Sequence, residues 1–470
     1  MIEVISIDTP ALGDRSYLAT DGRAALVVDP QRDIDRVLAA AAARGARITH
    51  VFETHIHNDY VSGGLALARV TGAAYHVNAA DEVAFDRIGV TDGDAIEVAG
   101  SMRVRVIATP GHTFTHLSYA LEDMTTGRVA AVFTGGSLLH GSTGRPDLLG
   151  PTHTAALAAA QHASARRLAS ALPGETPVCP THGFGSFCTA TQSGGTQSAG
   201  GASTIGQEKL VNPVLTQDED QYVAELRAGL DAYPAYYPHM GPANAAGPGP
   251  ADLSPPARAE AAQLALRIAA GEWVADLRSR RAFAAGHVSG SLSFEHGADF
   301  TNYLGWLIPW GTPLTLLGDT PGQVAAAQRD LARIGIDHLA GAADGTPQEW
   351  AGGQPLASFP VASFADLATV RHHRPVTVLD VRRALEWAGS RLDGALHIPL
   401  QDLRARIGEV PGGEIWVHCR SGYRAVIAAS LLHAAGHAVV AIDDEYTSAA
   451  DAGLSLVTGT AATSPPTSAG

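Results

Sequence analysis

Cysteine is scarce in this 470-residue chain, which holds only Cys179, Cys188 and Cys419. An odd and sparse count excludes a disulfide framework and fits a reducing, cytoplasmic location. Positive charge is also short: 32 Lys and Arg stand against 47 Asp and Glu, for a net charge of −15. Such a chain, with no basic stripe, is a poor partner for nucleic acid or an anionic membrane surface. The opening MIEVISIDTPALGDRSYLATDG has no basic segment followed by an apolar one, so no signal peptide is expected. Long apolar runs are missing too. RVLAAAAARGA and AVIAASLLHAAGHAVVAI are broken by Arg, His or Gly and give no span of about 20 residues. What is present, 46% hydrophobic and 17% charged residues, suffices for buried cores. The length implies roughly two to four domains.

Up to about residue 190 the chain alternates strand and helix signals. RAALVVDP reads as a strand ending in a turn, and DIDRVLAAAAARG has a helical period with a Gly stop. ITHVFETHIHND, RVRVIATPGHT and VAAVFTGGSLL share one design, an apolar strand running into a loop of small and polar residues. Strand ends are where α/β proteins place their chemistry. Residues 190–204 are rich in Gly, Ser and Thr and read as an irregular loop. The Pro- and Gly-rich stretch 236–258 reads as a linker, and 459–470 as a disordered tail. Beyond the linker lies an internal repeat. VADLRSRRAFAAGHVSGS (274–291) aligns without gaps to VLDVRRALEWAGSRLDGA (378–395), matching Asp276 to Asp380, Arg278 to Arg382, Phe283 to Trp387 and Gly290 to Gly394.

His55, His57 and Asp59 alternate in ETHIHNDYVSGG. Alternate residues share a face at a strand end, so these three can converge. His112 in TPGHTFTH and His182 in CPTHGFGS follow later strands and can reach the same edge, with His182 the weaker candidate. Imidazole and carboxylate donors suit Zn(II) or Fe(II). His116 and His140 fall near these loops but outside the ligand set. Arg145 and Asp147 either pair to order their loop or cap a turn. Cys188 reads as a small buried residue.

These motifs resemble the metallo-β-lactamase fold: THIHND its first ligand motif, PGHT its third-histidine loop and PTHG its last-histidine loop. The resemblance implies an αβ/βα sandwich with metal between the two sheet edges. GRPDLLG (144–150) and STIGQEKLVNPVL (203–215) look like the persulfide dioxygenase and glyoxalase II-like branch. Persulfide dioxygenases hold one iron with two histidines and a carboxylate, and oxidise the outer sulfur of a thiol persulfide to sulfite. The chain departs from this pattern twice. Tyr60 stands where dinuclear relatives carry a histidine, and a phenol titrating near about 10 is no substitute for imidazole. Gly136 stands where the family's TGD loop supplies an aspartate. The first departure implies one metal rather than two. The second leaves three ways to complete the site: Asp59, a three-histidine set including His57, or water.

IWVHCRSGYRA (415–425) places Cys419 between an apolar strand and a helical run. The field of a helix N-terminus favours thiolate, and Arg420 and Arg424 add positive charge. The loop Cys419-Arg420-Ser421-Gly422-Tyr423-Arg424 resembles the six-residue active loop of rhodaneses, which carry sulfane sulfur as a cysteine persulfide. The first repeat has Gly318 or Asp319 where the cysteine would fall, so it is expected to carry none.

The expected fold class is α/β multidomain, with a metallo-β-lactamase αβ/βα sandwich (1–235), the linker, and two rhodanese-like α/β domains. The first of these, 259–355, lacks the cysteine, and the second, 360–458, holds Cys419. The resemblance implies a persulfide dioxygenase-like metal domain coupled to a sulfurtransferase. One Fe(II) per chain is expected, with Zn(II) as the alternative. Low-molecular-weight thiol persulfide, thiosulfate or sulfite are the small-molecule partners, and the chain could be a homo-oligomer. Two other readings stay open: a zinc-dependent thioester hydrolase joined to a sulfurtransferase, and a sulfurtransferase whose metal domain only binds thiols or partners.

Overall fold

The strand Ala24–Val28 is buried along its whole length, because its two faces enter two different cores. Leu26 and Val28 pack between two sheets, and Ala25 and Val27 pack against helices. The computed structural model describes residues 2–190 and 202–459. They form two compact units, Met1–Leu253 with Arg329–Asp337, and Ser254–Gln328 with His338–Gly470.

The first unit is built on two six-stranded sheets. One runs in the order Glu3–Thr9, Asp14–Thr20, Ala24–Val28, Arg47–Phe52, Ala74–Asn78, Ile88–Val90. The other runs Ser203–Thr204, Pro177–Pro180, Arg128–Gly135, Leu117–Asp123, Met102–Ala108, Ala95–Val98. Tyr17, Leu26 and Phe52 of the first sheet meet Val104, Tyr119 and Phe133 of the second in a shared core. Helices Asp35–Ala42 and Gly64–Thr71 cover the outer face of the first sheet. Thr154–Ala171 and Glu219–Ala228 cover that of the second. This is the expected αβ/βα sandwich. Of the loop expected at 190–204, residues 191–201 lie outside the described residues, and Ser203–Thr204 is an edge strand. In the stretch expected to link, Tyr237–Ala246 is a helix with Pro238 in its first turn, where a missing N–H is tolerated.

The second unit holds two parallel sheets. The first is ordered Leu292–Ser293, Trp273–Asp276, Leu314–Gly318, Leu339–Asp344. The second is ordered Val361–Ala362, Ala438–Ile442, Glu414–His418, Thr377–Asp380, Leu396–His397. The repeat seen in the sequence is a repeat of register. Asp276 pairs with Leu317 as Asp380 pairs with His418. Arg278 forks onto Asp276 and reaches the Gly286 carbonyl, as Arg382 forks onto Asp380 and reaches Ser390. The position equivalent to Cys419 is therefore Gly318. A Cβ there would stand 3.0 Å from Val324 Cγ2 and 3.1 Å from Gln323 Oε1, a tight fit against both side chains. Residues 460–470 of the expected tail lie outside the described residues. Among the described residues, no helix is long and apolar enough to cross a membrane.

Candidate functional sites

The strand Arg47–Phe52 delivers Glu53, Thr54 and His55 to one edge of its sheet, and the parallel strand Ala24–Val28 delivers Asp29 beside them. Asp29 takes the unusual φ of 50° for a non-glycine residue. Its Oδ1 accepts the Thr54 N–H at 2.7 Å, and its Oδ2 accepts the hydroxyls of Thr54, at 2.7 Å, and Thr181. On the facing sheet, the connection after Met102–Ala108 brings His112. The parallel pair Arg128–Gly135 and Pro177–Pro180 brings Gly136 and His182 to the same edge.

Among the described residues, three overlapping groups of possible ligands result: His55, His112 and His182; His57, Asp59 and His182; and Asp29, Glu53 and His57, all buried. The Nε2 atoms of His55 and His182 lie 3.5 Å apart. Two imidazoles on one ion, each at about 2.0–2.1 Å, stand roughly 3.0–3.4 Å apart, so this pair fits a shared cation. His112 Nδ1 sits 2.8 Å from the Arg145 carbonyl, and its buried Nε2 has no partner. His57 Nε2 faces Glu53 at 3.2 Å, Asp29 at 3.3 Å and the Tyr60 hydroxyl at 3.0 Å, leaving a buried Nδ1 without a partner. Unpaired buried nitrogens of this kind call for a ligand. Each is opposed by an outer partner that fixes the ring, as metal-binding histidines require. Asp14 plays that part for His182, 3.0 Å from its Nδ1, while Asp59 lies 3.1 Å from the same nitrogen.

Electrostatics separates the histidines. Burial and the neighbouring His182 push His112 down to about 3, and burial among imidazoles holds His55 well below the usual range, so both keep lone pairs available. Burial opposes charge on His57 as well, but Asp29 and Glu53 outweigh it and raise it to about 9. Burial and the charge of Asp59 push Asp14 up to about 7. Burial would raise Asp59 too, but His182 and His57 hold it low.

Gly136 is more than a lost ligand. A Cβ on it would fall 2.4 Å from His112 Cδ2, so the ring occupies the space an aspartate would need. His182, expected to be the weaker ligand, stands in two of the three groups. His116 lies outside all of them. It accepts the Gly136 N–H at 3.0 Å and faces Thr109 Oγ1 at 2.9 Å. His140 lies 3.0 Å from the Val178 carbonyl. Arg145 and Asp147 do pair, through two bonds of 2.7 Å, and Arg145 also donates to the Asp231 carbonyl. Sequence reasoning missed Asp14, Asp29 and Glu53. Asp29 closes VVDP and Glu53 opens ETHIHND, both at strand ends, and that placement was the available signal.

Cys419 is buried at the end of Glu414–His418, and Gly422, at φ 91°, turns the loop into the helix Tyr423–Ala434. Arg424 is buried and binds Glu386 through both terminal nitrogens, at 2.6 and 2.8 Å. Burial opposes its charge, yet Tyr303, Glu386 and Cys419 together raise it well above the usual range. Arg420 is exposed. Of the two arginines expected to stabilise the sulfur anion, Arg424 is the buried one, and it is tied to a carboxylate. Glu386 was also missed; in the sequence it is one more surface-type residue of a short helix.

Residues 11–182 match the model of the Metallo-beta-lactamase superfamily, and residues 363–450 that of the Rhodanese-like domain. A hydroxyacylglutathione hydrolase of a Polaromonas strain is 32% identical over 34% of this chain and 57% of its own length. One from Cereibacter sphaeroides is 33% identical over 39% of this chain and 67% of its own. The chain thus spans between 47% and 67% of the length of such curated relatives. The crystal structure of a metallo-beta-lactamase from Staphylococcus aureus superposes with a TM-score of 0.64 at 26% identity, covering 73% of this chain and 99% of that one.

Proposed function

This chain belongs to the metallo-beta-lactamase superfamily and carries a rhodanese-like domain behind it, and from that premise we propose a sulfur-handling fusion enzyme. Its metal domain oxidises the outer sulfur of a low-molecular-weight thiol persulfide, and Cys419 carries sulfane sulfur. The observation that supports one metal over two is Tyr60, which stands at the second-site position and is engaged with His57. With Gly136 offering no side chain, the carboxylate of an iron site falls to Asp59, which groups with His57 and His182.

His55, His112 and His182 would hold the ion, with His57 Nδ1 and the Asp59 carboxylate beside them. When bound there, Fe(II) supplies dioxygen activation. The chain's own residues do the rest. The Arg145 carbonyl, Asp14 and the Asp29–Glu53 pair fix the outer nitrogens of His112, His182 and His57. Full burial of the three histidine ligands keeps bulk water from competing for them. Overall, thiol persulfide, dioxygen and water give thiol and sulfite, with dioxygen taking four electrons from the outer sulfur.

At the second site the Cys419 thiolate attacks the outer sulfur of thiosulfate. A Cys–S–S bond forms, the S–S bond of thiosulfate breaks, and sulfite leaves with the electron pair. A thiol persulfide loads the cysteine in the same way and leaves as thiol. Covalent joining raises the effective concentration of sulfur species common to both sites.

A three-imidazole group also suits Zn(II) as a water activator. The similarity to hydroxyacylglutathione hydrolases favours thioester cleavage as the second reading. Oxygen-electrode measurements with a thiol persulfide distinguish them. Oxygen uptake matched by sulfite release is expected, and it should persist in Cys419→Ser. Thioester cleavage without oxygen uptake would establish the hydrolase instead.

A further inference from the structure

The first compact unit takes in a stretch from far along the chain, Arg329–Asp337, which folds with Met1–Leu253. This stretch meets two loops of the metal site. One, 29–33, follows the strand Ala24–Val28 and opens with Asp29. The other, 53–63, follows Arg47–Phe52 and carries His55, His57, Asp59 and Tyr60. The two loops lie against each other. Gly63 N–H donates to the Pro30 carbonyl at 2.7 Å, and a Cβ on Gly63 would fall 2.2 Å from the Gln31 carbonyl oxygen.

Arg333 is bound to both loops. Its carbonyl accepts the Val61 N–H at 2.7 Å. Its guanidinium forks onto Asp33, with Nε 3.1 Å from one carboxylate oxygen and Nη2 2.7 Å from the other, while Nη1 reaches Asp330. Arg32 answers from the loop side, donating to the Ala332 carbonyl at 3.2 Å and pairing with Asp337. Arg32, Asp33 and Arg333 are all buried. A buried bidentate pair is directional and costly to break. It fixes the backbone of Arg333, and through that the Val61 N–H. Asn244 already holds the His57 and Tyr60 carbonyls and the Ser62 N–H, and the Val61 N–H between them falls to Arg333. The turn so held carries Asp59, 3.1 Å from His182 Nδ1, and Tyr60, whose hydroxyl is 3.0 Å from His57 Nε2. A shift of the turn displaces both contacts.

We infer that Arg333 is a positioning residue of the metal site, its carbonyl on Val61 and its fork on Asp33 together setting Asp59 against His182 and Tyr60 against His57. The site then depends on residues far beyond the stretch that carries its ligands. This rests on the buried histidines holding a metal.

The test is titration of the metal-stripped full-length chain with Co(II), read by the visible d–d bands, whose intensity follows coordination geometry. Wild type, His112→Ala, Arg333→Ala, Arg333→Lys and Arg329→Ala are compared. His112→Ala abolishes the bands if the site is correctly assigned; bands kept there, or missing in wild type, would remove that assignment and this inference with it. With the site established, Arg333→Ala is expected to weaken Co(II) binding about 10-fold, the low end for outer partners of a metal site, and to change the bands. Arg333→Lys keeps the charge without the fork and should weaken it about threefold. Should Arg333→Ala fail to fold, Arg333→Lys carries the test by the same reading. Arg329 is the control, because it is partly exposed and pairs at 2.7 Å with the exposed Asp35. Arg329→Ala should leave the affinity within about twofold, as for a surface ion pair. Wild-type affinity and bands in a folded Arg333 variant would overturn the inference, even with a lowered unfolding temperature. So would equal weakening in Arg329→Ala, since the charge of the stretch and not the fork would then matter.

Discussion

Gly136 shows how one residue fixes what a site can hold. The ring of His112 lies over its α-carbon, pinned by the Arg145 carbonyl and bordered on another side by Gly144, where a Cβ would fall 2.7 Å from Nδ1. Putting the aspartate back is therefore not a repair. Gly136→Asp should drive the ring from its place, with an overpacking cost of about 1–3 kcal/mol. Metal content should fall below half of the wild-type value by elemental analysis, and the unfolding temperature should fall with it. A variant that gained metal would show that the ring is free to move and that the lost carboxylate alone limits the site. Gly318 makes a milder case: a Cβ there would stand 3.0 Å from Val324 and 3.1 Å from Gln323, so a cysteine placed there would need those side chains to give by a few tenths of an ångström.

At the scale of elements, the helix Tyr237–Ala246 clamps the metal loop. Asn244, buried within it, donates to the His57 carbonyl at 2.9 Å and the Tyr60 carbonyl at 2.8 Å, and accepts the Ser62 N–H at 2.8 Å. Asn244→Ala leaves three buried backbone groups unpaired and should lower stability by about 2–4 kcal/mol. Calorimetry should show the loss together with weaker metal retention; an unchanged unfolding temperature would mean the loop holds itself. The short helix Ala384–Gly389 carries a second such device, the Glu386 carboxylate on Arg424. Burial would raise Glu386, but Arg424 outweighs it and brings it down from 4.5 to about 2. A depressed carboxyl stabilises the fold fully above its unfolded value and ceases to do so as pH falls through its folded one. The pair should therefore contribute on the order of 3 kcal/mol at neutral pH. The gap in unfolding temperature between wild type and Glu386→Gln should close between pH 4.5 and 2. A gap that stayed constant over that range would show that Glu386 acts through packing.

These two helices also show where the sequence was legible. Apolar strands ending in His55, His112, His182 and Cys419 announce themselves by local pattern, and so does the aligned Asp–x–Arg pair of the repeats. Asn244 and Glu386 act on loops 187 and 38 residues away, and no local period reports such a contact. The Pro and Gly content of 236–258 pointed to a linker because Pro238 and Pro242 suit a helix only at its first turn or with a local break. Asp29 reaches His57 once their two parallel strands pair, and Asp14 reaches His182 only once the two sheets face each other, so the outer layer of the site follows from topology and not from motif.

At the scale of the whole molecule, one chain joins a buried imidazole site to a cysteine loop, and the two should be chemically separable. Cys419→Ser should abolish sulfur transfer and leave metal content unchanged, whereas His182→Ala should strip metal as thoroughly as His112→Ala, because its Nε2 lies 3.5 Å from that of His55 and the two can share one ion. The most direct measurement is metal stoichiometry and identity on the purified full-length chain, by elemental analysis against quantitative amino-acid analysis. A mononuclear oxygenase site requires about one tightly held ion per chain, and that ion to be iron. Two tightly held ions per chain would contradict it, because neither Tyr60 nor Gly136 could then have the role assigned to it here.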